Sequence, residues 1–350
     1  MNPSATQYPE GGAAAAISAT LDSIRPLMTL SHDDLVVIAL ESAPTRPSAG
    51  YVTLADLPED AAAAESGGGA PVEFREHAGG TVSSIDAVVG DKPLVILAGD
   101  TIVGGKQNRI INVSVWLTPK HVTKIPVSCL EAGRWDAGRH FRSGRKVDLN
   151  LRSKVSRMVT DQVRAGAAAR GSDGSARPGY AAQQGAIWAE IAEKEANVGH
   201  RSHTGALHDL YETEAVDVRK MAGAFPVPDG ATGMAVAIGG RLVALDIFDT
   251  ASTLKQQWPR LIEAAVSAKF DEDRRVAAGR APQSGPHHPV PGALGLMLAR
   301  ARGAVCDATI SPSVGEGVDV RLVAPKIHGS ALVHEDRVIH LSLFRGERHA

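Results

Sequence analysis

The sequence predicts an α+β fold, with a β-rich, sandwich-like N-terminal half followed by helices and two later β-hairpins. Strand-like segments of alternating polarity fill the first part of the chain, helical periodicity fills the middle, and two turn signals between apolar runs come later. Strands and helices do not alternate regularly. This order favours separate helical and antiparallel regions over a parallel sheet built from βαβ units.

Shifts in composition divide the chain into segments. Small and polar residues dominate the N-terminus, and a stretch rich in Pro, Gly and His interrupts the last third. The predicted divisions are a flexible tail (1–30), a core (31–270), a linker (271–292), and a C-terminal segment (293–350) whose hairpin packs back on the core. Within the core, residues 31–135 are predicted to be β-rich, and residues 150–270 to be helical with one hairpin.

Three strand-like segments follow one another in the N-terminal half. Leu94–Ala98 is a short apolar run, typical of a strand that is buried on both faces. Arg109–Leu117 alternates apolar and polar side chains, and so does Lys124–Glu131, where Pro126 indicates an edge strand or a bulge. We expect the last two segments to pair as a hairpin.

Helices and hairpins are predicted in the second half of the chain. Apolar side chains recur at helical spacing between residues 187 and 221. A further helix is predicted from about Ser252, capped by that residue or by Thr250. Gly239–Gly240 lies between two apolar runs and predicts a two-residue hairpin, and Glu335–Asp336 predicts another.

The bulk composition excludes several classes of protein. Hydrophobic residues make up 43% of the chain, and 37 Lys and Arg face 39 Asp and Glu, so neither nucleic acid nor an anionic membrane is an expected partner. Two cysteines exclude a disulfide framework, and no signal-peptide pattern is visible. These features predict a soluble, cytoplasmic protein and leave a homo-oligomer open.

The segment before the predicted hairpin is rich in glycines. Gly99, Gly104 and Gly105 lack the spacing of a dinucleotide-binding fingerprint, and Gln107 follows Lys106 where a P-loop requires Ser or Thr. We therefore expect the glycines to form a tight turn that needs positive φ angles.

Period-two parity predicts where the polar side chains of the hairpin meet. If Leu117 pairs with Ile125, then Gln107, Arg109 and Glu131 lie on the apolar face, at the end of the hairpin away from its turn. Arg109 and Glu131 then become diagonal neighbours.

This constellation suits a pocket for a small nucleotide-like ligand. Arg109 and Arg134 could hold a phosphate or carboxylate, and the amides of Gln107 and Asn108 could bind a base or ribose. The indole of Trp135 could stack on a ring. Burial would raise the pKa of the Glu131 carboxyl group, which would suit it to acid–base catalysis.

An alternative interpretation needs no ligand. In it, an ion pair between Arg109 and Glu131 closes the end of the sheet, while Gln107 and Asn108 bond to the backbone of the turn. The protein would then be a non-catalytic interaction or structural module, and the polar cluster would be an internal ion-pair network.

Three other groups of residues are candidates for a catalytic or metal-binding role. Asp246 interrupts an apolar strand, so it either completes the Glu131 site as a second catalytic carboxylate or forms a salt bridge, which we favour. Cys129 falls on the inward face and predicts a buried, inert thiol. His203 and His208 lack the i, i+4 spacing of a helical metal site, so no metal is predicted, and the cofactor stays unknown.

One family pattern is visible in Lys106–Arg109 and Glu131–Trp135, with further matches at Asp246–Asp249 and His340–Leu341. In these segments the chain resembles the ADP-ribosylglycohydrolase- and rhodanese-phosphatase-associated protein domain family, over about residues 33–345. The family name implies association with enzymes that process ADP-ribose. The resemblance therefore implies a link to ADP-ribose or NAD metabolism, and it implies no particular reaction.

Overall fold

A computed structural model describes residues 10–43, 50–57, 71–76, 81–135, 140–169, 179–280 and 290–346. In these ranges the chain forms helices packed on sheets that are antiparallel except for one short parallel pair, Val52–Thr53 with Leu94–Val95, which confirms the α+β class. The helices are α1 (Glu10–Ser23), α2 (Leu149–Ala169), α3 (Gln184–Val198), α4 (Leu207–Ala222), α5 (Ala251–Ala277) and α6 (Val290–Val305). The strands are β1 (Arg25–His32), β2 (Leu35–Glu41), β3 (Val52–Thr53), β4 (Val72–Arg75), β5 (Ser84–Val89), β6 (Leu94–Ile96), β7 (Thr101–Val103), β8 (Arg109–Ile111), β9 (Val115–Leu117), β10 (Val122–Cys129), β11 (Arg142–Ser143), β12 (Gly233–Ile238), β13 (Arg241–Phe248), β14 (Thr309–Pro312), β15 (Val318–Ala324), β16 (Ile327–His334) and β17 (Arg337–Arg345).

The largest sheet contains eight antiparallel strands in the order β1-β2-β12-β13-β17-β16-β15-β14. Both predicted hairpins belong to it. β12 turns into β13 through Gly239–Gly240, and β16 turns into β17 through Glu335–Asp336, with positive φ angles at all four turn residues. Both hairpin predictions are confirmed.

Helices cover both faces of this central sheet. On one face, α1 and α6 share a core with the strands, and on the other face α5 does so. Thr250 caps α5, as predicted, because its side chain accepts a hydrogen bond from the N–H of Thr253. Burial on both faces explains why β12 and β13 are almost continuously apolar in sequence.

The prediction of a flexible tail over residues 1–30 is wrong for its described part, which forms α1 and most of β1. Ala13, Ala16, Ile17 and Leu21 recur at helical spacing and are buried, and alanine has the highest helix propensity. Two alanines of the run, Ala13 and Ala16, therefore belong to the packing face of a helix, while Ala15 is exposed. Residues 1–9 lie outside the described ranges.

The predicted linker and C-terminal segment also need correction. α5 continues to Ala277 and α6 starts at Val290, so both ends of the proposed linker at 271–292 are helical, while 281–289 lie outside the described ranges. β17 pairs with β13 in the middle of the central sheet. The C-terminal segment is therefore integral to the core, because it supplies four of the eight strands of that sheet.

Two smaller sheets make up the rest of the N-terminal half. One has six strands in the order β11-β7-β8-β10-β5-β4, and the other has three in the order β3-β6-β9. Apolar side chains of α2, α3 and α4 join the core of these sheets. The β-rich character of this half is confirmed, but β1 and β2 belong to the central sheet.

The predicted pairing of residues 109–117 with 124–131 is only partly correct. β8 does pair with β10, but Ile111 lies opposite Val127 rather than Glu131, and β9 leaves to pair with β6. The strand breaks at Asn112–Ser114 because their side chains bond outside the ladder. Asn112 donates to Tyr180 O, and Ser114 Oγ accepts from the N–H of Ala98.

Within the described residues, no helix is both long enough and apolar enough to span a bilayer.

The packing of α1 predicts a large effect of Ile17→Ala. Ile17 is fully buried, so the truncation should lower the free energy of unfolding by about 2–5 kcal/mol in urea titrations. Leu27→Ala, at a side chain that is 41% exposed on β1, is the control and should change it by less than about 0.5 kcal/mol. Equal, small effects of the two variants would mean that the N-terminus does not pack as described.

Candidate functional site

The predicted glycine turn joins β7 to β8. Gly104 and Gly105 have φ angles of 123° and 53°, which L side chains rarely adopt. A Cβ atom on Gly105 would also lie 2.0 Å from the ring of Phe141. Asn108 Oδ1 accepts a hydrogen bond of 3.0 Å from the N–H of Gly104. The turn thus requires both glycines, as predicted, and the side chain of Asn108 holds its backbone.

Arg134 reaches this turn and is fully engaged there. Its Nε and Nη2 donate to the two carboxylate oxygens of Glu131, at 2.9 and 2.8 Å. Its Nη1 donates to the carbonyl oxygen of Gly105 at 2.6 Å. The guanidinium therefore fixes the turn to the chain that follows β10, and its bidentate edge is closed to a phosphate.

Glu131 is buried and accepts further hydrogen bonds, from Thr204 Oγ1 at 2.7 Å and from the N–H of Asn108 at 3.2 Å. Burial alone would raise the pKa of this carboxyl group, but the hydrogen bonds from Arg134, Thr204 and Asn108 lower it below its ordinary value. The shift is opposite to the one that a general acid needs. Glu131 is therefore an anchor for the surrounding loops.

Gln107 lies between Arg109 and Glu131, which the parity argument predicts to be neighbours. Its Nε2 donates to the backbone oxygen of Glu131 at 2.8 Å, and its Oε1 accepts from Arg109 Nη1 at 3.1 Å. In the described structure, Arg109 and Glu131 share neither an ion pair nor a hydrogen bond, so the expected pair between them is not formed. The reason is the shifted register, in which Arg109 lies opposite Cys129.

Arg109 is fully buried, yet two of its three guanidinium nitrogens have no hydrogen-bond partner among the described residues. Nη1 donates to Gln107 and to the sulfur of Cys129, whereas Nε and Nη2 have no hydrogen-bond partner among the described residues. Nε and Nη2 form the side-on edge of a guanidinium, which matches two acceptor atoms held side by side. An unsatisfied buried donor is costly, so this open edge needs an explanation.

Glu76, which follows β4, lies beside the open edge and was missed by the sequence analysis. Its Oε1 is 3.5 Å from Arg109 Nη2 and accepts a hydrogen bond from the backbone N–H of Lys106. Its Oε2 is buried and has no partner among the described residues. Nothing in one sequence marks this glutamate, since β4 meets the turn only through the folding of the six-stranded sheet.

Trp135 lies next to these charges and is 48% exposed. Its ring centroid is 5.1 Å from Lys106 Nζ and 5.8 Å from Arg109 Cζ, within the range of cation–π attraction. The indole thus connects the buried guanidinium to the protein surface, where a planar ligand group has access to it.

Cys129 is buried as predicted. Burial raises the pKa of its thiol to about 11, which leaves almost no thiolate at neutral pH. Gln184 brackets its backbone, accepting from its N–H and donating to its carbonyl oxygen, each at 2.8 Å. These contacts favour the inert, structural role.

Asp246 belongs to a separate buried network. Its two oxygens accept from Arg152 at 2.7 and 3.1 Å, and Oδ1 also accepts from Ser342 Oγ at 2.8 Å and contacts His340 Nε2 at 3.0 Å. This is the salt bridge that we favoured. Burial would raise the pKa of Asp246, but Arg152 and His340 hold it far below the ordinary value.

Among the described residues, no group of three or more His, Cys, Asp or Glu side chains is arranged to hold a metal ion.

The candidate site is the cluster of Arg109, Glu76, Trp135 and Lys106, held in place by the network around Glu131.

Comparison with known proteins gives one match. The sequence model of the ARG and Rhodanese-Phosphatase-superfamily-associated Protein domain family matches residues 23–344. No curated protein and no solved structure matches the chain.

The network around Asp246 predicts strong destabilisation by Asp246→Asn, by about 3–5 kcal/mol, because the variant leaves Arg152 buried without a counter-charge. A carboxyl whose pKa is lowered on folding stabilises the protein above its unfolded pKa, and this contribution is lost as the pH falls. Asp246→Asn should therefore also flatten the loss of stability in acid.

Chemical denaturation between about pH 3 and pH 7 measures both effects, since this range spans the unfolded pKa of aspartate. Asp161→Asn, which removes a 63% exposed carboxylate on α2, is the matched control and should change little. Similar unfolding free energies for the two variants would contradict the role given to Asp246.

Proposed function

The chain belongs to the ARG and Rhodanese-Phosphatase-superfamily-associated Protein domain family, and from this premise and the open edge of Arg109 we propose that it binds a small nucleotide-like ligand. The family name associates these domains with proteins of ADP-ribose metabolism. ADP-ribose and NAD are therefore the ligands that the proposal names.

The unfilled side-on edge of Arg109 carries the proposal. In two other arginines of this chain the same edge is closed by a carboxylate: Arg134 binds Glu131 through Nε and Nη2, and buried Arg321 binds Asp319 in the same way, at 2.6 and 2.8 Å. Arg109 is as deeply buried as Arg321, but no described residue accepts a hydrogen bond from its Nε or Nη2. A ligand with two neighbouring acceptor atoms would supply the missing hydrogen bonds.

Two neighbours supply the remaining properties of a nucleotide site. Trp135 offers an exposed aromatic face for a base or a nicotinamide ring, since stacking needs a planar partner and little else. Lys106 places a positive charge beside that face, where it can attract a phosphate. Gln107 is assigned to positioning Arg109, because both ends of its amide are already bonded.

The proposal concerns binding rather than catalysis. Glu131, which the sequence analysis placed as the acid–base group, accepts hydrogen bonds on both oxygens and has a lowered pKa. Proton transfer through it would require these contacts to break first.

The structural module remains the second candidate, and one observation favours it. Glu131, Arg134, Gln107 and Asn108 already satisfy one another and the backbone of the turn, as an internal network would. An internal network thus explains the contacts of these four residues. It does not explain the unpartnered donors of Arg109 or the exposed indole of Trp135, which the ligand hypothesis does.

Arg109→Lys tests the proposal, because lysine keeps the positive charge and removes the bidentate edge. ADP-ribose or NAD should raise the melting temperature of the unmodified protein, and the variant should bind at least about tenfold more weakly by titration calorimetry, a loss of about 1.4 kcal/mol. Arg321→Lys is the matched control, since it also removes a buried fork. It should lose stability and retain the affinity.

If neither ligand stabilises the unmodified protein, the proposal fails and the structural module stands. Equal affinity of Arg109→Lys and the unmodified protein would place the ligand elsewhere.

A further inference from the structure

The environment of Arg109 also indicates which part of a nucleotide would lie there, an inference that rests on the proposed function. We infer that the group held between Arg109 and Glu76 is the uncharged edge of a nucleobase or carboxamide, with an acceptor beside a donor. The phosphate end of the ligand then points outward, toward Lys106.

The first step in this argument is the pairing of unused groups. Arg109 offers two N–H donors, at Nε and Nη2, and Glu76 Oε2 offers an acceptor, and all three atoms are buried without a partner in the described structure. A ligand that satisfies them must present acceptors to Arg109 and a donor to Glu76. An amide edge does so, because its carbonyl oxygen has two lone pairs, one for each Arg109 donor, and its N–H lies next to that oxygen and can donate to Glu76.

The second step is the fixed position of Glu76. Its Oε1 accepts from the backbone N–H of Lys106 at 3.1 Å and lies 3.5 Å from Arg109 Nη2, too far for a hydrogen bond. The carboxylate thus stands beside the guanidinium without closing its edge. A phosphate at that edge would be close to this negative charge, which disfavours it, whereas an uncharged amide would not be repelled.

The third step concerns the ring that carries the amide. Trp135 is the aromatic neighbour of Arg109, with its ring centroid 5.8 Å from Cζ, so a base that stacks on the indole directs its edge toward the guanidinium. Arginine and acidic side chains read base edges in this manner, by donating to ring nitrogen and carbonyl acceptors and accepting from amino groups. Lys106 Nζ is also close to the indole, 5.1 Å from the ring centroid of Trp135.

Access to this edge requires the indole to move. Arg109 has no exposed surface, while Trp135, whose ring centroid lies 5.8 Å from Arg109 Cζ, is 48% exposed. Binding should therefore change the fluorescence of Trp135, and Trp135→Phe should abolish that change. The other three tryptophans of the chain lie at positions 116, 188 and 258 and serve as the internal background.

The test separates the two ends of the ligand. Calorimetry on the full chain compares guanosine, adenosine and nicotinamide, which carry no phosphate, with pyrophosphate and ribose 5-phosphate, which carry no base, and ADP-ribose and NAD are titrated alongside. At least one of the base or amide compounds should bind and quench Trp135, and neither phosphate compound should do so at the same concentration.

Variants then address Glu76 directly. Glu76→Gln removes the charge and should weaken the bound nucleoside or nicotinamide at least tenfold while strengthening pyrophosphate. Glu73→Gln is the matched control, because Glu73 lies on the same strand in an exposed ion pair with Arg75, and it should change neither affinity. The ligand comparison on the unmodified protein decides the matter even if a variant folds poorly.

The outcomes distinguish this inference from the function on which it rests. Binding of pyrophosphate or ribose 5-phosphate in place of the nucleosides, lost in Arg109→Lys, would overturn the inference and leave the proposed function standing. Failure of every ligand, including ADP-ribose and NAD, would overturn both.

Discussion

The buried ion pair between Arg152 and Asp246 is the contact on which the arrangement of the sheets depends. It joins α2 to the middle of the central sheet, where β13 and β17 are neighbours, and Ser342 and His340 of β17 complete the contacts of the carboxylate. Removing either charge would leave the other buried and unpaired. A buried pair of this kind therefore specifies one arrangement of the elements that supply its partners.

The same ion pair positions the N-terminal sheets. His340 contacts Ser114 Oγ through Nδ1 at 3.0 Å, which ties the break between β8 and β9 to the central sheet. The stem of Arg152 passes so close to Gly99 that a Cβ atom there would lie 2.7 Å from Cγ. Asp100, the next residue, is buried against Lys146 at 2.8 Å. β7 begins directly after these contacts, so the turn that leads to Arg109 starts from a fixed point.

Buried charge in this protein is mostly satisfied by other protein groups, and this gives Arg109 its significance. The pairs of Arg152 with Asp246, Lys146 with Asp100 and Arg134 with Glu131 all combine opposite charges at hydrogen-bonding distance. Arg109 instead stands beside a carboxylate that does not close its edge. Arg337 and Asp249 form a second loose buried pair, 3.9 Å apart, with unpartnered atoms on both side chains. Arg109 differs from Arg337 in lying beside the half-exposed indole of Trp135, which gives a ligand a route from the surface.

Much of the fold was visible in the sequence because local signals determine it. Paired turn residues between apolar runs located both hairpins of the central sheet, and Thr250 located the start of α5. The sequence does not predict α1, although its apolar stripe is present, because a stretch of small and polar residues is also the composition of a flexible tail. The register of β8 on β10 could not be predicted, since the hairpin assumption ignored that β9 leaves β8 to pair with β6.

The sequence predicts which side chains of the cluster lie close together better than it predicts the hydrogen bonds that they form. Gln107, Arg109 and Glu131 lie close together, because period-two parity survives a register shift of an even number of residues. Asn108, Arg134 and Trp135 join them through contacts that parity does not determine. Their partners follow from the tertiary structure, which brings Thr204 to Glu131 and Glu76 to Arg109.

A crystal structure of the chain with ADP-ribose tests the central claim most directly. The account predicts ligand acceptor atoms within about 3 Å of Nε and Nη2 of Arg109, with a planar ring against Trp135. A structure in which Glu76 closes that edge as a bidentate partner, with the ligand absent or bound elsewhere, would contradict it.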